Sequence, residues 1–379
     1  MADMFDYLNW RGDVPFSADP FNEVDGLILA ELAYTNFENE FPANASISVQ
    51  DVRDAFFARH TREELLESSS WSAKAALFLE EMSEGARYRG TRLCGYINEI
   101  DREKDAQIAA VTFLLDDGTA FVAFRGTDGS LVGWKEDFDL SYLTATEGQR
   151  RAVVYMNEAG RSINRPLRTG GHSKGGNFAV YAAAFCAPEI SERILSVYSY
   201  DGPGFRREIV DSDEYMRILP RVCSIVPDTS IIGRLLASKC EHRVVESRNT
   251  GIAQHDGFSW ELLRNRFVEA LPTETGRMIE AAMGDWLEQT DDETLRSFTE
   301  TIFTLFEATG QETFSDMGAR KLKSAEAMLA GMADLPKEKR RELRTLLKRL
   351  VASGGSMAAA HLPGRQGRLQ AEESDAGRL

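Results

Sequence analysis

The residues best suited to nucleophilic chemistry surround Ser173, which lies in the run Gly-His-Ser-Lys-Gly at positions 171–175. A serine on a tight turn between a strand and a helix can act as a nucleophile, because small flanking residues let its Oγ stand clear of the backbone. Gly170 and Gly176 extend the run of small residues, and the small, apolar stretch 176–186 is typical of a buried helix. This spacing predicts a nucleophilic serine at a strand-to-helix turn.

A serine nucleophile needs a histidine base, and at a turn of this kind the triad runs serine, acid, histidine along the chain. Three histidines follow Ser173, namely His242, His255 and His361. The first opens a predicted strand and the last lies in a predicted tail, whereas His255 follows the last strand in a loop of small and polar residues. His255 is therefore the predicted base. His172, beside the nucleophile, is predicted to be packed and to point elsewhere.

Two aspartates compete for the place of the acid. Asp201 and Asp228 both lie between the serine and the histidine, and both follow a predicted strand, so chain order does not choose between them. For either one the alternative role is structural, as a turn residue whose carboxylate bonds its own backbone.

Changes in hydrophobic period along the chain predict the helices and strands around these residues. Residues 1–92 have mainly helical patterns, and another helical pattern at 147–163 precedes the turn at Ser173. Runs rich in β-branched and aromatic residues predict strands at 93–97, 107–115, 119–124, 194–200, 221–226 and 243–247. An Asp-Asp-Gly turn at 116–118 joins the strands predicted at 107–115 and 119–124 as a hairpin. The run 166–169, just before the turn at Ser173, is short and polar for a central strand. This alternation predicts an α/β fold with a mostly parallel sheet.

The predicted organisation has three parts. Residues 1–262 form the main domain, including the helical N-terminal part at 1–92. From residue 260 onward the pattern is helix-like, which predicts a helical C-terminal region at 263–351. Residues 352–379 are rich in glycine, serine and charge, and are predicted to be a disordered tail.

Composition and charge narrow the classes of partner. The chain has 379 residues, of which 43% are hydrophobic and 27% charged, and this favours neither a disordered nor a fibrous protein. A count of 60 acidic against 44 basic residues gives a formal charge of −16, which repels polyanions. No nucleic-acid partner is therefore predicted.

The N-terminus and the cysteines indicate the compartment. The acidic N-terminus lacks the basic segment and apolar run of a secretory signal, and no stretch approaches the ~18–20 apolar residues of a membrane-spanning helix. Cys94, Cys186, Cys223 and Cys240 are widely spaced, show no paired C-x-x-C pattern and are too few to staple a chain of this length. We predict a cytoplasmic protein with reduced thiols, no transmembrane segment and no metal site.

Two motifs, an oxyanion strand followed by a nucleophile turn, resemble those of the class 3, fungal-type lipases. Residues 122–127 (Val-Ala-Phe-Arg-Gly-Thr) resemble the strand and loop on the oxyanion side of these enzymes. The likeness continues through Trp134 and the acidic pair Asp137 and Asp139. Residues 171–176 (Gly-His-Ser-Lys-Gly-Gly) resemble the G-H-S-L-G-G elbow of the same lipases.

Further runs resemble a bacterial family of largely uncharacterised lipase-like proteins. These are residues 7–13 (Tyr-Leu-Asn-Trp-Arg-Gly-Asp), the elbow itself, and residues 254–260, which begin Gln-His-Asp and end at Trp260. The similarity spans residues 5–262 and leaves the helical remainder without a matching motif. It implies an α/β-hydrolase fold with a mostly parallel central sheet, a helical N-terminal segment and a helical C-terminal region.

The resemblance implies a serine hydrolase that cleaves a carboxylic ester, of a small molecule or a lipid, through an acyl-enzyme and without metal or cofactor. One oxyanion donor is expected to be the backbone N–H of Lys174, next to the nucleophile, and by resemblance Thr127 supplies the other. The class 3 lipases place their acid near Asp228. The bacterial family instead carries the Asp-Gly-Pro-Gly turn that opens at Asp201 and usually has an amide where this chain has Asp228, so Asp201 is favoured.

Several alternatives stay open at the level of sequence. An amidase, peptidase or thioesterase would use the same residues, and a non-catalytic protein of this fold could bind a partner through its helical C-terminal region. The Lys174 side chain replaces the usual leucine and is predicted to be solvated at the surface rather than to meet an anionic substrate group. The apolar residues Ile231, Ile232, Leu235 and Leu236 fit an acyl pocket or lid as well as a core helix.

Overall fold

A central sheet of eight strands organises the fold. The computed structural model describes residues 2–38, 46–68, 70–274, 276–278, 281, 290–311, 321–337, 339–341 and 345. The strands lie in chain order across the sheet: β1 (Ile47–Ser48), β2 (Arg92–Asp101), β3 (Ala106–Leu114), β4 (Ala120–Phe124), β5 (Leu167–His172), β6 (Ile194–Tyr200), β7 (Val222–Pro227) and β8 (His242–Val245). Strands β1 to β4 pair antiparallel, and β4 to β8 pair parallel. The predicted α/β-hydrolase fold with a mostly parallel sheet is confirmed.

Helices precede the sheet, connect its parallel strands and follow it. They are α1 (Met4–Arg11), α2 (Glu23–Leu32), α3 (Val49–Phe57), α4 (Arg62–Glu67), α5 (Trp71–Ala76), α6 (Phe78–Glu84), α7 (Leu131–Asp139), α8 (Glu147–Ser162), α9 (Lys174–Phe185), α10 (Pro188–Ser191), α11 (Arg207–Val210), α12 (Asp213–Ile218), α13 (Asp292–Glu307) and α14 (Lys321–Asp334). The helical N-terminal part is therefore confirmed. Within this part, residues 71–84 form two successive helices, α5 and α6.

Both faces of the sheet are covered, which explains the nearly continuous apolar runs of β3 and β4. Because side chains alternate along a strand, Phe121 and Val122 point to opposite faces. Phe121 packs in one core with Leu27 of α2, and Val122 packs in the other with Met156 of α8 and Phe178 of α9. The two cores fix the central strands from both sides.

A buried ion pair ties the N-terminal helices together. Asp25 lies in α2 and is fully buried, so its carboxylate needs partners. Arg87 donates to it from Nε at 2.7 Å and from Nη2 at 2.5 Å, and the hydroxyl of Tyr7 donates at 3.0 Å. This network ties α2 to α1 and to the segment between α6 and β2.

The strand before the elbow differs from the prediction. It runs from Leu167 to His172 and occupies the middle of the parallel sheet, although its sequence is short of apolar residues. A Cβ at Gly171 or at Gly175 would collide with the carbonyl oxygen of Phe124 in β4. Glycine at these positions therefore lets the turn at Ser173 approach β4 closely. Because glycines replace apolar side chains here, hydrophobic pattern predicts this strand poorly.

The helix-like prediction from residue 260 onward is wrong at its start. Residues Leu262–Leu263 (β9) and Arg266–Phe267 (β10) form an antiparallel hairpin, and Phe267 packs into the core beside α2. The described parts of 290–341 contain α13 and α14, while the predicted tail at 352–379 lies outside the described residues. None of the described helices is long and apolar enough to span a membrane.

Candidate active site

Ser173 stands at the turn between β5 and α9, where the sequence placed it. Its backbone has φ 57° and ψ −133°, a conformation that a residue with a side chain rarely adopts. Its N–H donates to the carbonyl of Tyr200 at 2.9 Å, which ties the turn to β6. Strain of this kind at a strand-to-helix turn is what presents a nucleophile above a parallel sheet.

The structure brings His255 and Asp201 together. Asp201 is fully buried at the end of β6, and its Oδ2 lies 2.6 Å from Nδ1 of His255. The other carboxylate oxygen accepts hydrogen bonds from Ser230 Oγ and, at 3.2 Å, from the N–H of Gly233. Because a carboxylate oxygen accepts, Nδ1 carries the proton and Nε2 is the nitrogen with a lone pair. The ring is thus fixed in the tautomer that a general base needs.

The loop that carries His255 is held by its neighbours in sequence. The main chain turns in a 3₁₀ segment, Gly251–His255, and the indole of Trp260 donates to the carbonyl of Gln254 at 2.8 Å. The Gln254 side chain accepts from the N–H of Thr229 at 2.8 Å. The Gln-His-Asp to Trp260 run therefore positions the histidine.

The other sequence candidates lie elsewhere. The carboxylate of Asp228 accepts from the N–H of Thr273 at 2.7 Å and from its hydroxyl at 2.6 Å. His242 lies on β8, with Nδ1 at 2.8 Å from Ser224 Oγ, and His361 lies outside the described residues. Of the two aspartates that the sequence left open, Asp201 contacts the histidine and Asp228 caps the chain after the hairpin.

His172 is packed, as predicted, and it also supports the loop of His255. Its ring is buried, and burial lowers its pKa well below the usual range of a histidine. Nε2 lies 2.8 Å from the carbonyl oxygen of His255 and therefore donates to it, while Nδ1 lies 3.3 Å from the hydroxyl of Tyr34. Its ring stacks on Trp71 with centroids 5.1 Å apart. This contact was not apparent from the sequence.

Glu31 is a buried acid behind the site that the sequence analysis missed. It lies in α2, it accepts from the Trp71 indole, and its Oε1 lies 3.9 Å from Nδ1 of His172. Among the described residues Oε1 has no hydrogen-bond partner. Burial raises the pKa of Glu31 to about 8, so the group is mostly protonated at pH 7. Its sequence signal was an acid directly after the apolar run 27–30 of α2.

Glu31→Gln is expected to remove part of the pH dependence of stability. The pKa of Glu31 is higher in the folded state, about 8, than in an unfolded chain, so its favourable contribution is present below about pH 4.5 and is lost as the pH rises through 8. The variant should melt several degrees above the wild type at pH 9 and close to it at pH 5. The exposed Glu67→Gln is the control, and equal pH profiles for wild type and Glu31→Gln in thermal unfolding would contradict this assignment.

Thr127 follows β4 and lies on the expected oxyanion side. Its hydroxyl donates to Oδ2 of Asp137 at 2.6 Å, and burial raises the pKa of Asp137 to about 6. Thr127 and Lys174 line the same cavity as Ser173 and His255. The residues predicted for the site, apart from Asp228, are therefore gathered at one place.

Lys174 is not the solvated surface lysine that we predicted. Its side chain is 1% exposed, and Nζ lies 3.2 Å from Glu136 Oε2, 3.2 Å from Gln107 Oε1 and 3.1 Å from the carbonyl oxygen of Gly133. The side chain runs from the elbow beneath α7, where it neutralises the buried Glu136. The Lys174 side chain therefore stabilises the position of α7, the helix that follows Thr127 in the chain.

Lys174→Leu, which restores the residue usual in class 3 lipases, is expected to lower the free energy of unfolding by ~3–5 kcal/mol, because Glu136 would be left buried without a cation. Chemical denaturation measures the loss. As control, Lys104→Leu breaks the exposed pair with Glu147 and should cost less than ~1 kcal/mol. If both variants lost an equal, small free energy of unfolding, the buried Lys174–Glu136 pair would contribute no more to stability than an exposed pair.

A cavity of about 930 Å³ opens at the site. Most of its lining is apolar, and it includes the stretch for which we left pocket and core helix open: Ile231, Ile232, Leu235 and Leu236. This stretch contains only the 3₁₀ turn Ile232–Arg234, so it forms a wall of the cavity and not a core helix. The volume is near the upper end of the range for small-molecule sites.

The chain is similar to one protein family and, more weakly, to a solved lipase structure. A model of the Mbeg1-like family matches residues 82–304. No curated protein matches the sequence. Among solved structures, one described as the crystal structure of M37 lipase is similar with a TM-score of 0.36 and 12% identity, over 63% of this chain and 82% of that chain. The match to the family model spans more than half of the chain, so this lipase-like protein belongs to the Mbeg1-like family.

Proposed function

We propose that the protein is a serine hydrolase that cleaves a carboxylic ester, with Ser173 as nucleophile, His255 as base and Asp201 as acid. The observation that carries the proposal is the 2.6 Å contact between Asp201 and His255 Nδ1, beside a cavity that Ser173 also lines in a strained elbow. A structural histidine would not need a buried carboxylate at one nitrogen and a cavity at the other.

In this mechanism the Ser173 Oγ attacks the ester carbonyl while Nε2 of His255 accepts its proton. Asp201 keeps the ring oriented and stabilises the imidazolium that forms. The imidazolium then protonates the leaving alcohol, which gives the acyl-enzyme. Water, activated by the same nitrogen, releases the carboxylic acid and regenerates the serine.

The oxyanion that develops during attack needs donors at fixed positions. The backbone N–H of Lys174, at the first residue of α9, is one proposed donor, and Thr127 supplies the second. The contact of the Thr127 hydroxyl with Asp137 and the buried contact of the Lys174 ammonium with Glu136 support the two donors. The donor positions are therefore set before the substrate binds.

The apolar cavity favours an ester with an apolar group over a charged peptide. An amidase, peptidase or thioesterase would use the same triad, and a protein without catalytic activity would keep the fold alone. A fluorophosphonate probe separates catalysis from fold, because only an activated serine reacts at a useful rate.

The test combines probe labelling with hydrolysis of 4-nitrophenyl esters, the matching anilides and thioesters. Labelling at Ser173, located by mass spectrometry, with turnover of the esters ahead of the anilides is the expected result. Absence of labelling in folded protein would reject the serine mechanism. Labelling with faster turnover of anilides or thioesters would keep the triad and change the substrate class.

A further inference from the structure

The C-terminal helix α13 forms part of the wall of the candidate active-site cavity. Leu295, Phe298, Thr299 and Ile302 line that cavity together with Ser173 and His255. The spacing of these four residues, i, i+3, i+4 and i+7, places them on one face of the helix. The helical region after the predicted domain boundary therefore takes part in the site, although no sequence motif connected it to catalysis.

Apolar packing holds this helix in place. Phe303 of α13 contacts Phe138 of α7 with ring centroids 5.7 Å apart. On another side, Phe298 and Leu305 pack with Met332 of α14. The Phe303 contact joins the helix to α7, which carries Glu136 and Asp137, and the Met332 contact joins it to α14.

An exposed ion pair marks the start of the helix without fixing it strongly. Arg206 donates from Nη1 and Nη2 to the two carboxylate oxygens of Asp292, at 2.7 and 2.9 Å. The Asp292 side chain is 59% exposed, and pairs of this kind contribute little to stability. The position of the cavity wall therefore depends on the apolar contacts, and changes on the cavity face should alter its shape directly.

The remaining lining is also mainly apolar. Ile231, Ile232, Leu235 and Leu236 contribute to it, as do Phe138 and Leu140. An aliphatic chain placed in such a cavity gains a similar increment of binding for every CH₂ it buries, until a wall stops it. The residue that stops the chain then decides which acyl length is cleaved best.

We propose that α13 is the acyl-length wall of this enzyme, with Ile302 as a specificity-determining residue for esters of unbranched aliphatic acids. The proposal rests on the serine hydrolase function proposed above. Ile302 lines the cavity and is only half-buried, so it can be changed with less damage to the core than its neighbour Phe298, which is 4% exposed.

The experiment compares kcat/KM over 4-nitrophenyl esters from acetate to dodecanoate. In the wild type kcat/KM should rise about fourfold per CH₂ up to a limiting length. Ile302→Trp should reduce the ratio of decanoate to acetate kcat/KM by about tenfold or more, because the larger ring removes room for roughly two CH₂ groups. Ile302→Ala should move the limit to longer chains. The matched control is Thr304→Trp, on the exposed face of the same helix.

The outcomes separate this inference from the function on which it rests. Equal losses for all chain lengths in Ile302→Trp, or unchanged profiles in both Ile302 variants, would overturn the role of α13 while fluorophosphonate labelling of Ser173 still supports the hydrolase. If no labelling occurs, the proposed function fails, and the wall is tested by calorimetry. Decanol should then bind more tightly than butanol to the wild type, and Ile302→Trp should lose that preference. Equal affinities for the two alcohols in both proteins would reject an aliphatic site.

Discussion

Ser173→Ala is expected to abolish fluorophosphonate labelling and to lower kcat for ester hydrolysis by on the order of 10⁵- to 10⁶-fold, the loss seen when a triad serine is removed. The substitution deletes one hydroxyl that lines the cavity and takes little packing with it. The positive φ of the position strains alanine as it strains serine. The fold and the thermal stability should therefore be retained.

Another serine of the same cavity gives the matched control. Ser72 lies in α5 and lines the cavity with Ser173. Ser72→Ala should keep labelling and turnover within about twofold of the wild type, because the residue lies outside the proposed triad. If Ser173→Ala retained turnover, or if Ser72→Ala lost it, the nucleophile would be assigned wrongly.

Asp201→Asn is expected to lower kcat by about 10⁴-fold with little change in fold. The amide oxygen can keep accepting from Ser230 and Gly233, which contact Oδ1 in the wild type. The amide nitrogen would then face Nδ1 of His255 and act as a donor. A donor at this place favours the tautomer protonated at Nε2, which cannot take the proton of the serine.

Asp228→Asn separates the two aspartates that chain order left equal. Its carboxylate contacts Thr273, so the change should leave kcat near the wild-type value. The pH profile of kcat/KM adds a second measurement, because a lost acid alters the apparent pKa of the base while a lost cap does not. If Asp201→Asn kept its turnover and Asp228→Asn lost it, Asp228 would be the acid.

Local pattern was sufficient for most of the sheet and for the elbow. The strand predicted at 194–200 has the same bounds in the structure, and the predicted hairpin joins β3 to β4. Hairpin turns with glycine and strands with period-two alternation depend on residues close in sequence, so they can be predicted without knowledge of the tertiary fold. The length of the polar strand before the turn at Ser173 was underestimated, because its glycines are required by the close approach of the Phe124 carbonyl of β4 and not by hydrophobic pattern.

Spacing and chain order predicted a nucleophile, a base and a pair of possible acids, and the resemblance to lipase-like proteins favoured Asp201 of the two. The sequence could not measure which aspartate reaches His255, because Asp201 and His255 are separated by 54 residues and meet only when β6 and the loop after β8 are placed. The same limit applies to α13, whose cavity face lies more than a hundred residues from Ser173 in the chain.

The order and spacing of the residues are thus sufficient to predict the available chemistry: a serine at a tight strand-to-helix turn, a histidine after the last strand, and an acidic chain with an α/β pattern. The burial of ionisable groups, in contrast, became visible only in the folded chain. Lys174 and Glu31 have ionisable side chains of types that usually lie at the surface, yet both are enclosed by elements distant in the chain. Burial and partner choice depend on these long-range contacts, because a charge enters a core only where other segments supply its partner or raise its pKa.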